Sequence, residues 1–145
     1  MSEHTRDLGT VSVSVEYDAD PDDTVATFQD VRERYAPDLR EKPQEHLYAL
    51  FLDASNRLIT DQLVTKGAAD KVAVDRQAIV RTACLVNAQG VIVVHNHPSG
   101  DPTPSEQDID VTEDVGDALD AVGVELLDHV IIGDDAYSFR QNGHM

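Results

Sequence analysis

Cysteine is all but missing from this chain: Cys84 is the only one in 145 residues. An intrachain disulfide is therefore excluded, and neither a thiolate metal cluster nor an oxidising compartment is indicated. Any metal must be held by histidine and carboxylate. Long apolar runs are missing too. Nothing approaches the roughly 18 residues of a membrane helix, and the opening MSEHTRDLGT lacks the apolar core of a signal peptide. The expectation is a soluble, cytoplasmic protein with no membrane contact. Lysine is confined to Lys42, Lys66 and Lys71, and the formal charge is −17. Nucleic acid is gripped mainly by Lys and Arg neutralising phosphates, so a surface this acidic argues against direct nucleic-acid binding. Adaptation to high intracellular salt is the expected origin of the charge, because screening removes the self-repulsion that would oppose compaction, with an ordinary acidic protein as the alternative.

A chain of this length fits one domain with its own core. Residues 11–17 alternate Val11, Val13, Val15 and Tyr17 with polar positions, the period of a strand with one buried face. An amphipathic helix follows, with Thr24 as N-cap, Val25, Phe28, Val31 and Tyr35 inward, and an end before Pro37. Residues 1–44 thus read as a strand-helix extension on a core domain at 45–145. Two apolar segments, 46–53 and 57–65, flank a short connection and predict an antiparallel hairpin. Asp75 caps a helix to about residue 88, with Ile79, Ala83 and Val86 inward, and Cys84 reads as a small core residue of that helix. A buried strand at 91–94 runs into His95; a helix at 105–122, a strand at 124–132 and a short strand at 137–140 complete the chain. Hairpins mixed with helical crossovers predict an α/β fold with a mixed sheet.

Chemistry concentrates in His95-Asn96-His97 and the segment up to Asp108. Side chains at i and i+2 of an extended chain share a side, so His95 and His97 can present two imidazoles together while Asn96 faces away. Three prolines and a glycine between Pro98 and Pro104 impose a turning loop, which can bring the next helix start back toward the strand end. Asp108 lies in the first turn of that helix. Zinc accepts imidazole nitrogen and carboxylate oxygen, and three protein ligands leave a fourth position for water, the arrangement of a catalytic site. Taken alone, Ser105-x-x-Asp108 reads as a capping box, and a bare His-x-His reads as two polar loop residues. Their combination favours metal. Asp128 and His129 read most simply as hydrogen-bonded strand residues, with support of a ligand as the alternative.

The spacing His-x-His, seven residues, Ser, two residues, Asp resembles the JAMM (MPN+) metalloprotease motif. HNHPSGDPTPSEQDID together with LLDHVIIGDDAYSF, LFLDASNRLI and VTKGAA is similar to the RadC-like branch of the JAB domain family over residues 45–139. The resemblance implies a JAB/MPN-like mixed β-sheet flanked by helices and Zn2+ held by His95, His97 and Asp108. It also implies Glu45 as general base, with Glu41 as a rival, and Ser105 as a contributor to oxyanion stabilisation. The implied activity is a metallopeptidase or isopeptidase acting on a protein or peptide substrate, including conjugates of a ubiquitin-like modifier. Two competing roles attach to the same resemblance: a DNA-repair or mobile-element accessory protein, and a non-catalytic MPN scaffold. The first is weakened because residues 1–44 offer no helix-hairpin-helix; the second, because a scaffold has no need of three ligands.

Overall fold

Alternation in the strands decides which layer each side chain joins. In the computed structural model, which describes residues 22–67 and 73–145, the elements are α1 (Phe28–Leu39), β1 (His46–Leu52), β2 (Leu58–Lys66), α2 (Arg76–Leu85), β3 (Gly90–Asn96), α3 (Glu106–Asp120), β4 (Glu125–Ile132) and β5 (Ala136–Ser138). The alternating segment at 11–17 lies outside the described residues. The strands form one sheet in the order β2-β1-β3-β4-β5. β3 and β4 are parallel, joined by α3 as a crossover, while the other neighbours are antiparallel. The fold is α/β with a mixed sheet and helices on both faces.

Both central strands carry almost unbroken apolar sequence because both of their faces are covered. Leu47, Ala49, Phe51, Val91 and Val93 pack with Ile79 and Ala83 of α2 and Val111, Val115 and Leu119 of α3. The intervening residues Leu50, Leu52, Ile92 and Val94 pack on the opposite face with Val31, Tyr35 and Leu39 of α1. The helix expected in the N-terminal extension is therefore one of the covering layers.

Four local expectations need correction. The N-cap of α1 is Thr27, three positions beyond Thr24: Thr27 Oγ1 accepts from the Asp30 amide at 3.2 Å and the Asp30 carboxylate accepts from the Thr27 amide at 3.1 Å. Thr24 instead forms an extended bridge with Arg57. The helix also runs through Pro37 to Leu39. Proline inside a helix costs about 3 kcal/mol, but the extension past it buries Leu39, and a buried leucine returns roughly 1.5 to 3 kcal/mol. Finally, α2 ends at Leu85, where Asn87 turns with φ of 54°, and Cys84 is exposed on its outer side rather than in the core.

Candidate metal centre

The period of two along β3 sends His95 to the face shared with Val91 and Val93, which is the face covered by α3. His97 lies just past the strand, and its amide donates to the Ile132 carbonyl at 2.8 Å, which holds it against the end of β4. The chain then turns. Gly100 has φ of 92°, a conformation glycine adopts without strain, and its amide donates to the His97 carbonyl at 3.0 Å. The Gly100 carbonyl accepts from the Asp134 amide at 2.7 Å, so close to Gly133 that a Cβ there would stand 2.3 Å from that oxygen. This loop delivers the chain to Ser105, the N-cap of α3. Ser105 Oγ accepts from the Asp108 amide at 3.1 Å, and Asp108 Oδ2 accepts from the Ser105 amide at 2.8 Å. The capping box and the candidate ligand set are thus one structure, sharing the Asp108 carboxylate.

His95 Nε2 and His97 Nε2 stand 3.0 Å apart; Asp108 Oδ1 is 3.3 Å from the former and Asp108 Oδ2 is 3.1 Å from the latter. Ligands about 2.0 to 2.1 Å from a tetrahedral zinc are themselves about 3.3 to 3.4 Å apart, so the donor set and its spacing fit such an ion. Glu45 approaches from the residue before β1, with Oε1 3.9 Å from His97 Nε2. Glu45, His95 and His97 offer donor atoms all within 4.8 Å of one another, a cluster that could hold a metal ion. Glu41, the rival acid, is exposed in the turn after α1.

Charge follows the same geometry. Burial pushes the Asp108 carboxyl up, but the neighbouring His95 and His97 imidazoles and the Ser105 amide outweigh it and hold the group well below the ordinary carboxylate range. The hydrogen bond to Asp108 holds His97 above the usual imidazole value, against the opposing effect of burial. Asp108 is therefore an anion in a buried position, which attracts positive charge.

Three residues complete the surroundings: Asn96, His129 and Thr112, of which sequence reasoning passed over only Thr112. Asn96 does face away from the histidines, and it uses that position: Oδ1 accepts from the His46 amide at 2.7 Å and Nδ2 donates to the Gln44 carbonyl at 3.0 Å, clamping the chain on both sides of Glu45. His129, buried in β4, stacks on Phe139 and places Nε2 2.7 Å from His95 Nδ1. Thr112, one turn beyond Asp108 on α3, lies 2.6 Å from the other nitrogen of His129. Of the pair singled out in the sequence, His129 supports a candidate ligand. Asp128 instead ties β4 to β5, accepting from Ser138 Oγ at 2.5 Å and the Arg140 amide at 3.1 Å.

Comparison with known proteins agrees with this arrangement. The chain is 42% identical over 118 residues to a UPF0758 protein of Streptococcus thermophilus, covering 81% of this chain and 52% of the relative. A UPF0758 protein of Methanococcoides burtonii is 38% identical over 127 residues, covering 87% and 56% respectively. One of Methanosarcina mazei is 36% identical over 125 residues, covering 86% and 55%. The chain thus spans about half the length of these curated relatives. A family model for the RadC-like JAB domain matches residues 25–144, which takes in α1 as well as the sheet and the whole candidate centre. With sheet, helices and histidine-carboxylate cluster all inside that match, the chain belongs to the RadC-like JAB domain family.

Proposed function

We propose that the chain is a zinc-dependent hydrolase of amide bonds, a JAMM-type metallopeptidase or isopeptidase whose metal ligands are His95, His97 and Asp108. One observation supports this most: two imidazole nitrogens and a carboxylate converge within 3.0 to 3.3 Å of one another, with a second carboxylate, Glu45, at 3.9 Å. A zinc ion held there supplies a Lewis acid and draws the pKa of a coordinated water towards about 7. Glu45 is the general base. Its carboxylate takes a proton from the attacking water and returns it to the leaving amine. Standing outside the tight triangle, and fixed by the hydrogen bonds Asn96 makes on either side of it, it is better placed to carry a proton than to share the ion. Ser105 donates its hydroxyl proton to the carbonyl oxygen as negative charge gathers there. Its oxygen already accepts from the Asp108 amide, which leaves the proton available.

The substrate we propose is a protein or peptide, including a ubiquitin-like modifier joined to lysine, and the activity of the whole protein is part of the proposal. A cytoplasmic location and operation in high salt complete the reading; both rest on composition. The charge of −17 opposes direct DNA binding.

Elemental analysis of protein purified in high salt, wild type beside His97→Ala, tests the assignment. About one zinc per chain, lost in the variant, is the expected result for a three-ligand site. No metal in either, even after zinc is supplied, would leave the scaffold role.

A further inference from the structure

The hydrogen bonds behind His95 have only one consistent direction. Thr112 Oγ1 lies 2.7 Å from the Asp108 carbonyl, which can only accept, so the single hydroxyl proton is committed there. At the 2.6 Å contact between Thr112 Oγ1 and His129 Nδ1 the proton must therefore come from the histidine. His129 is 1% exposed, and among the described residues its ring bonds only to Thr112 and His95, with no carboxylate in hydrogen-bond contact to offset the cost of burying a cation. A neutral ring with its proton on Nδ1 offers a lone pair at Nε2, which accepts from His95 Nδ1 at 2.7 Å. The His95 proton is thereby placed on Nδ1, which leaves Nε2, the nitrogen that faces Asp108 and His97, as the donor atom of the neutral ring. An independent bond sets His97 the same way, since its Nδ1 donates to the Asp101 carbonyl at 2.8 Å.

We propose that Thr112 and His129 are positioning residues that lock His95 in the Nδ1-protonated tautomer, so that its Nε2 is held ready as a donor to a divalent cation. The proposal rests on reading the cluster as a metal centre. Thr112 takes its direction from the backbone carbonyl of Asp108 itself, four residues earlier on α3. One helical turn therefore supplies both a ligand and the fixed end of the relay that orients a second ligand on the sheet.

Two readouts test it. Long-range proton–nitrogen NMR on metal-stripped wild type reports the tautomer, and chelator competition with Zn2+ or Co2+ reports affinity in Thr112→Val, Thr112→Ser and His129→Phe. The expected pattern is His95 protonated on Nδ1, with affinity about 10- to 100-fold weaker in Thr112→Val and His129→Phe, the usual effect of losing a ligand's hydrogen-bond partner. Thr112→Ser, which keeps the hydroxyl, should restore wild-type affinity. Folding of the variants is followed by far-ultraviolet circular dichroism, and the Val/Ser contrast separates the hydroxyl from packing. A His95 proton on Nε2, or unchanged affinity in Thr112→Val, overturns the lock while the metal centre stands. Wild type that takes up neither metal overturns the metal centre itself.

Discussion

Asn96 and His46 meet across the β1–β3 pairing, the Asn96 amide oxygen 2.7 Å from the His46 nitrogen. Because Asn96 also bonds the Gln44 carbonyl, the backbone on both sides of Glu45 is tied to the residue that separates the two histidines. Asn96→Asp keeps the acceptor for His46 but sets a carboxylate against two carbonyls, those of Gln44 and Lys42. A loss of about 1 to 3 kcal/mol is expected from the unmatched buried groups. Zinc content should be unchanged and turnover reduced, as read by metal analysis and kcat side by side. A variant with full turnover would show that the clamp does not position Glu45.

Glu45→Gln removes the proton acceptor and keeps its shape. Metal binding should survive while kcat falls by about 10²- to 10⁴-fold, the range for loss of a general base. Native turnover in this variant would move the base to another acid, with Glu41 next in line.

His129 and His97 titrate with opposite effects on stability. Burial, and then the neighbouring His95, holds His129 well below the ordinary imidazole value. The unfolded chain therefore binds a proton near about pH 6.5 that the folded chain refuses, and stability falls as the pH drops from there towards the folded pKa. His97 is raised by Asp108, so its contribution is complete below about pH 6.5 and is lost as the pH climbs through its folded value. Melts of metal-stripped protein at about pH 7.5 and 5.5 should show His129→Phe losing less on acidification than wild type, and His97→Ala losing more. Equal losses in all three would contradict the assignment.

Gly133→Ala should be severe despite its small size. The new methyl would meet the Gly100 carbonyl oxygen at 2.3 Å, backbone that has nowhere to go without shifting the loop between His97 and Ser105. A lowered melting temperature together with weakened zinc binding is expected. Gly143→Ala, at a position with open space but a φ of 78°, is the comparison: it should strain the C-terminal turn and leave the metal site intact.

The charge of −17 predicts a melting temperature that rises with KCl from about 0.1 M to multimolar concentration. A flat profile would remove salt adaptation as the origin of the acidic surface.

Much of the fold and the centre could be read in the sequence, for identifiable reasons. The nearly unbroken apolar runs of β1 and β3 and the spacing in α2 and α3 report burial directly, and His95, His97 and Asp108 lie close enough in the chain for strand period and loop chemistry to bring them together. Thr27 hid behind Thr24 because either can precede the same apolar spacing, and only the reciprocal bonds with Asp30 decide between them. His129 was legible only as an alternative support for a ligand, without His95 as its partner, and Thr112 not at all. Their role depends on β4 lying parallel to β3 with Val93 opposite His129, a register that single-strand patterns do not encode. Asn96 was legible in direction but not in purpose, since its partners lie at the start of β1 and just before it, and the place of β1 beside β3 emerges only from the assembled sheet.

One imidazole belongs to the sheet, the other to the residue just past its β3 strand, and the Asp108 carboxylate to the helix packed upon it. A cation shared among them would be a rivet between layers, in a chain whose lone cysteine can furnish no covalent one. Heat resistance and metal occupancy would then rise and fall together, and chelation would loosen the seam between β3 and α3 before it disturbed the far face, where α1 lies.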